Sequence, residues 1–306
     1  MTNNKKYHNN NGLNPNFLSG FVDGEGCFYI GVSQNNNYSI GWVVGLTFII
    51  GLDRKDRPLL ELIQKYFGVG NITKQGKDII QYRVSSVKDL QVIMDHFDKY
   101  PLITYKLADY LLFKRAFELI KRKEHLTTKG LHEIIAIKAS SNLGLSEKLK
   151  QLFPGISPLS RPVAVNTEIK DPYWISGFTD AEGCFLIQIK RDPTHKIGYQ
   201  VLLRFTIGLH SRDELVLKSL VSYLGCGRYK KRTESVGEFI IGNLTEINEK
   251  IIPLFEKYPL KGAKLKDFED FCKVADIKKV DGHKTELGLE QIRLIKMGMN
   301  RGRTRD

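Results

Sequence analysis

Two glutamates, Glu25 and Glu182, stand at equivalent points of a short segment that occurs twice. Residues 18–30 read LSGFVDGEGCFYI and residues 175–187 read ISGFTDAEGCFLI, with nine of thirteen positions identical. About one identity is expected by chance. A single glutamate at a helix end is ordinarily solvated, but a carboxylate repeated in one context is a candidate for chemistry. Two carboxylates held close repel, and the C-terminal end of a helix dipole further disfavours negative charge. A hard divalent cation reverses that sign, because Mg²⁺ is held by one or two carboxylates together with phosphate oxygens and water. The pair therefore points to metal-assisted phosphodiester hydrolysis. Asp23 and Asp180 read instead as structural acids that bond backbone near the helix ends.

The elements that must position these acids follow from spacing. Read as a helix, the segment places Gly20 and Gly24 four residues apart, and Gly177 and Ala181 likewise. Small residues on one face let two helix backbones approach closely. Each glycine costs about 1 kcal/mol relative to alanine in a helix, so packing has to compensate. If the two copies meet on these faces about a pseudo-twofold axis, Glu25 and Glu182 come side by side.

The duplication extends along the chain: YFGVG at 66–70 answers YLGCG at 223–227, KYPLITYKL at 99–107 answers KYPLKGAKL at 257–265, and TTKGLHEIIAIK at 127–138 answers TELGLEQIRLIK at 285–296. Between the copies, Pro154, Pro158 and Pro162 punctuate a stretch without periodicity. We expect a first repeat at 13–153, a linker at 154–172 and a second repeat at 173–303. Within each, period-2 alternation marks two strands after the motif. Phe28, Ile30 and Val32, then Val44, Leu46, Phe48 and Ile50, point inward in the first copy; Phe185, Ile187 and Ile189, then Val201, Leu203, Phe205 and Ile207, do so in the second. Helical periodicity returns at 55–67, 87–98 and 104–123 and at the matching places of copy two.

Composition narrows the partner. The 306 residues carry a formal charge of +13, split as +7 and +6 on either side of residue 150. An even surplus suits a polyanion that meets both halves. The four cysteines form no CxxC pair, and the seven histidines no HxxxH or His/Cys cluster, which disfavours a disulfide framework and a zinc site. Trp42 to Leu52, the longest apolar run, is too short for a membrane span, and the N-terminal residues carry no readable targeting signal. A soluble protein in a reducing compartment is expected. Without a secretory signal, the acceptor patterns at Asn71 and Asn243 are coincidental. His125 and His283, equivalent in the repeats, read as structural residues at a helix start.

Together the repeated LSGFVDGEG and ISGFTDAEG, the YxGxG, the KYPLxxxKL and the GLxxI helix resemble the LAGLIDADG homing endonucleases in their single-chain, two-repeat form, with fungal organellar intron-encoded members the most similar. Phe21 and Phe178 replace a family leucine, and glutamate replaces the last aspartate of the motif. The resemblance implies an α+β fold of two pseudo-symmetric αββαββα repeats whose antiparallel sheets form a saddle along the major groove of double-stranded DNA. It places the metals on Glu25 and Glu182, with the carbonyls of Gly24 and Ala181 contributing, and active-site lysines at Lys106 and Lys264. It also implies Mg²⁺ as cofactor, Ca²⁺ supporting binding without cleavage, a monomer, no membrane, and a mitochondrial location.

Under that resemblance the outward strand positions become base-reading candidates, since a two-stranded ribbon fits the major groove. They are Tyr29, Ser33, Thr47, Gln81 and Arg83 in copy one, with Asn35 at a hairpin tip. In copy two they are Leu186, Gln188, Lys190, Gln200, Arg204, Arg228, Lys230 and Arg232. Outward apolar residues such as Val43, Ile49 and Leu202 suit thymine methyls. The expected activity is double-strand cleavage at a long asymmetric target. An intron RNA maturase and a non-cleaving DNA-binding protein on the same fold stay open as alternatives, as does intron RNA as a partner.

Overall fold

The computed structural model describes residues 12–163 and 167–302; the expected linker positions 164–166 and the expected C-terminal limit at 303 lie outside them. Its contacts divide the chain into two units, one holding residues 12–15 and 25–163 and the other 16–24 and 167–302. The first motif helix, α1 (Pro15–Glu25), is therefore packed almost wholly within the second unit.

In the first unit, β1 (Gly26–Gln34) and β2 (Trp42–Asp53) are followed by α2 (Arg57–Phe67), β3 (Asn71–Gln75), β4 (Ile79–Val84), α3 (Val87–Lys99), α4 (Lys106–Lys121), α5 (Thr128–Ser140) and α6 (Glu147–Leu152). The antiparallel sheet runs β1-β2-β4-β3. Phe28, Phe48, Phe67, Phe97, Tyr110 and Phe113 meet beneath it with ring centroids mostly 5 to 6 Å apart. Edge-to-face and tilted pairs of this kind add to the stability from burial.

The second unit repeats the order: α7 (Pro172–Glu182), β5 (Gly183–Arg191), β6 (Tyr199–His210), α8 (Glu214–Leu224), β7 (Arg228–Lys231), β8 (Val236–Ile241), α9 (Leu244–Glu246), α10 (Ile252–Lys257), α11 (Lys264–Lys279) and α12 (Glu286–Met297), with sheet order β5-β6-β8-β7. Its core carries Phe185, Phe205, Phe239, Phe255, Phe268 and Phe271. A π turn, Ile247–Ile251, separates α9 from α10, where the first repeat has the unbroken α3. Pro253 has no N–H to continue the regular ladder, which accounts for the interruption.

Helices α1 and α7 cross where the small residues predict. A Cβ on Gly20 would overlap the carbonyl of Trp174, and one on Gly177 would overlap that of Phe17. This close approach buries Phe17, Leu18, Phe21, Val22, Trp174, Ile175 and Phe178. Full burial of such side chains contributes about 1.5–3 kcal/mol each, enough to offset the poor helix propensity of glycine. The Trp174 indole donates to Asp23 at 2.8 Å, and the Asn16 amide donates to Asp171 at 2.8 Å. No helix among the described residues is long and apolar enough to cross a membrane.

Candidate active site and nucleic-acid interface

Each motif helix ends in its glutamate and passes into a strand at the next residue: α1 ends at Glu25 and α7 at Glu182. Gly183 makes the second transition, its N–H capping the Thr179 carbonyl; a Cβ there would lie 2.6 Å from Thr179 Cγ2. Gly24, the neighbour of Glu25, packs on the end of α7. A Cβ on it would overlap the Ala181 side chain and come within 3.1 Å of Glu182 Cγ and 3.3 Å of Oε1. Only a residue without a side chain leaves the Glu182 carboxylate that space.

Lys264 begins α11, where the positive end of the helix dipole disfavours a cation. Its Nζ reaches instead to the last turn of α7 and donates to Thr179 O at 2.9 Å and Ala181 O at 3.1 Å. The negative, under-bonded end of one helix thus holds the lysine from the start of another. Asp180 steadies the approach by accepting from the backbone N–H groups of Lys261 at 2.6 Å and Gly262 at 3.0 Å. That is the backbone-bonding role its position predicts, whereas the bond described above from Asp23 goes to an indole. Lys106 occupies the equivalent first position of α4, its N–H donating to Thr104 Oγ1 at 3.2 Å.

Strand register brings the predicted reading residues onto one face of each sheet. In the first, Tyr29 pairs with Thr47, Ser33 with Val43, Ile49 with Arg83 and Gly51 with Gln81; β3 adds Asn71 opposite Arg83, Thr73 opposite Gln81 and Gln75 opposite Ile79. In the second, Leu186 pairs with Arg204, Gln188 with Leu202, Lys190 with Gln200 and Lys230 with Glu238, while Arg228 opposes Ile240. Residues directly opposite share a face, so these rows are continuous across their strands.

Two positions differ from open, outward side chains, and a third is open but bonded to its neighbour on the same strand face. Thr47 lies on the expected face but is only 8% exposed, and its hydroxyl accepts from Ser85 at 3.3 Å. Arg232 is paired with Glu238, which neutralises its guanidinium. Arg83 donates to Gln81 at 3.2 Å. Thr206, outward by alternation, shares the second face with His210 and Glu238, and Asn71, Thr73 and Gln75 share the first; none of the six is among the base-reading candidates. In β3 nearly every side chain is exposed, so its two faces carry no hydropathic contrast. Thr206 and His210 do alternate with the buried Phe205 and Ile207, and that signal could have identified them.

Comparison with known proteins places these features. The family model described as LAGLIDADG endonuclease matches residues 18–117 and 175–275, one span in each repeat. The chain belongs to the LAGLIDADG endonuclease family. Among relatives, "Probable intron-encoded endonuclease 3" of Neurospora crassa is 41% identical over 92% of this chain and 54% of its own length. "Probable intron-encoded endonuclease 2" of the same organism is 40% identical over 92% of this chain and 64% of its own length. The chain thus spans between half and two thirds of the length of these two relatives. The solved structure of I-SmaMI bound to uncleaved DNA target in the presence of calcium ions is 43% identical, covers 95% of this chain and 100% of that one, and superposes with a TM-score of 0.92. The α+β fold of two four-stranded sheets is that of the single-chain LAGLIDADG endonucleases.

For a LAGLIDADG protein the donor chemistry around Glu182 suits a hard cation. The groups in reach of the helix end are a carboxylate and main-chain carbonyls, and the space before Glu182 is one that a Cβ at position 24 would fill. Burial pushes the nearby Cys184 thiol up, so it stays protonated and is a poor soft ligand. Among the described residues no group of three or more His, Cys, Asp or Glu is placed to hold a metal, so phosphate and water oxygens have to complete any coordination shell.

Proposed function

We propose that the chain is a site-specific DNA endonuclease that cuts both strands of a long asymmetric duplex in the presence of Mg²⁺, acting as a monomer. The observation that carries this reading is the Lys264 Nζ bond to the Ala181 carbonyl, which sets a cation one residue from the carboxylate of Glu182. Repeat one has the same residue types at Glu25 and Lys106, with Gly24 where the second repeat has Ala181. One acid and one lysine per repeat match two strands to cut. Glu25 and Glu182 are the metal ligands in this reading, with the carbonyls of Gly24 and Ala181 beside them. A bound divalent cation supplies activation of water and neutralises charge at the leaving oxygen. Lys106 and Lys264 act on the phosphate side, each as a fixed positive charge or a proton donor near the scissile group.

Each sheet face takes base edges in the major groove. On the first, Tyr29, Ser33, Asn35, Gln81 and Arg83 read bases, and Thr47 stands beside Tyr29 on the neighbouring strand. On the second, Leu186, Gln188, Lys190, Gln200, Arg204, Arg228, Lys230 and Arg232 do so. Two faces that differ at most of these positions suit a target without a palindrome. Repeats at 13–153 and 173–303 joined by 154–172 are the corresponding domains. The intron-encoded relatives, including one from the ND4 intron 1 of Podospora anserina, support an organellar intron as the source and the mitochondrion as the location.

The test is cleavage of a plasmid carrying the intronless junction of the host gene, with Mg²⁺ or Ca²⁺. Wild-type chain is expected to linearise it in Mg²⁺ and to bind without cutting in Ca²⁺, while Glu25→Gln and Glu182→Gln bind but do not linearise. Tight binding by the wild type with no cut in Mg²⁺ overturns the reading in favour of a DNA-binding protein or splicing cofactor.

A further inference from the structure

Arg161 belongs to the proline-rich segment between the repeats, where a solvated side chain is the ordinary expectation, yet its side chain is 17% exposed. Its guanidinium donates through Nη1 to Asp109 Oδ1 at 3.0 Å and to Ser140 O at 2.7 Å. Nη2 reaches Tyr105 O at 3.5 Å, and the guanidinium carbon lies 4.0 Å from the centroid of the Tyr105 ring. Asp109 is shared: the same Oδ1 accepts the N–H of Asn142 at 2.9 Å. One arginine thus ties together the first turn of α4, the C-terminal carbonyl of α5 and the connecting segment, which the Ser140 hydroxyl also holds through Leu159 O at 2.8 Å.

Along the chain, Lys106 falls between Tyr105, whose ring carries the guanidinium, and Asp109, whose carboxylate pairs with it. In the second repeat Ala263 stands where Tyr105 stands, so there is no aromatic platform before Lys264; the N–H groups of Lys261 and Gly262 there donate to Asp180. Asp267, equivalent to Asp109, keeps the counterpart bond, accepting from the N–H of Asn300 at 3.0 Å.

We infer that Arg161 is a positioning residue for Lys106, so that the connecting segment tunes one of the two strand cuts and leaves the other alone. The inference rests on the endonuclease reading above. A planar, always-charged group that stacks and forks is suited to this place; a lysine cannot do both at once. Displacing it removes the cation from the Tyr105 ring and the guanidinium from Asp109, which loosens the first turn of α4, while the turn at 262–267, with Ala263 in place of Tyr105, loses no such partner.

The experiment uses the full chain and a duplex recovered from a randomised library by wild-type cleavage in Mg²⁺, with the two strands carrying different end labels. Arg161→Ala is expected to slow one strand at least tenfold more than the other, so that nicked duplex accumulates, with affinity in Ca²⁺ within threefold of wild type. Tyr105→Ala should give the same strand bias, Tyr105→Phe should retain wild-type balance, and Arg161→Lys should not restore it. Equal slowing of both strands, or unchanged rates, overturns the inference. Amide exchange provides an arm independent of cleavage: protection at 106–109 should fall at least fivefold in Arg161→Ala, with 264–267 unchanged, and no fall overturns the positioning role. A wild type that cuts no duplex defeats the endonuclease reading, and the exchange result then decides the role of Arg161 by itself.

Discussion

The Nζ of Lys264 lies 3.1 Å from the carbonyl oxygen of Ala181, the residue before Glu182. A lysine at the N-terminus of α11 is placed against the helix dipole, and its bonds to the end of α7 explain why it is held there. The arrangement sets a positive charge against the residue that precedes a carboxylate.

Replacing Lys264 by methionine keeps the aliphatic stem and removes the charge. Single-turnover cleavage should fall by about two orders of magnitude, the usual contribution of a positioned proton donor or charge. Binding in Ca²⁺ should change no more than a few-fold. An unchanged single-turnover rate would show that Lys264 only caps α7.

Gly177→Ala should destabilise the protein, although in an ordinary exposed helix that change is stabilising by about 1 kcal/mol. The added methyl would overlap the Phe17 carbonyl, forcing α1 and α7 apart at a cost of about 1–3 kcal/mol or more. Urea unfolding midpoints of Gly177→Ala and Gly20→Ala measure this. A gain in midpoint for either variant would contradict the close crossing of the two helices.

On the second sheet, Arg204 and Lys190 should separate by the kind of contact they make. Arg204→Ala should lose about 1–3 kcal/mol of discrimination at one base pair, as expected when a bidentate contact to guanine is lost. Lys190→Ala should weaken all sequences similarly and reduce the salt slope by about one. Because Glu238 holds Arg232, Arg232→Ala should alter base preference less than Arg204→Ala. Selection of cut sites from a randomised duplex pool, repeated at two salt concentrations, resolves the three variants.

His96 gives a pH dependence of stability. Its imidazole is 6% exposed among Phe67, Phe97 and Tyr100, and burial pushes its pKa down to about 3. The unfolded chain takes up a proton there near pH 6.5 while the folded chain does not, so the folded state loses ground as pH falls. Below pH 6.5 the loss attributable to His96 is about 1.4 kcal/mol per pH unit until the folded value is reached. His96→Phe should flatten the unfolding free energy between pH 6 and pH 4 relative to wild type. Parallel curves would mean that the ring is not held neutral.

Local rules carried much of the architecture. Phe28, Ile30 and Val32 alternate with Tyr29, Gly31 and Ser33, and Phe205 lies between Arg204 and Thr206; that period of two fixes which side of a strand each residue takes whatever the strand packs on. The paired small residues of the motif likewise encode a close helix crossing. Where the pattern carries no contrast it says nothing: β3 is exposed on both sides, so alternation does not place Asn71, Thr73 and Gln75 on the face they share with Gln81 and Arg83. The π turn before α10 follows from Pro253, yet its place depends on how the flanking turns pack.

Sequence by itself determined that one unit is used twice, that each use carries a glutamate at the same point of its motif, and that the strands have an inner and an outer face. These are properties of residue type and spacing along the chain. Tertiary structure alone decided that Thr47 is covered, that Arg232 is neutralised by Glu238, that Lys264 binds the end of α7, and that Arg161 clamps the turn around Lys106. Each of these depends on groups far apart in sequence or set by strand register, and a period along the chain cannot specify which charge or carbonyl will meet a side chain once the layers close.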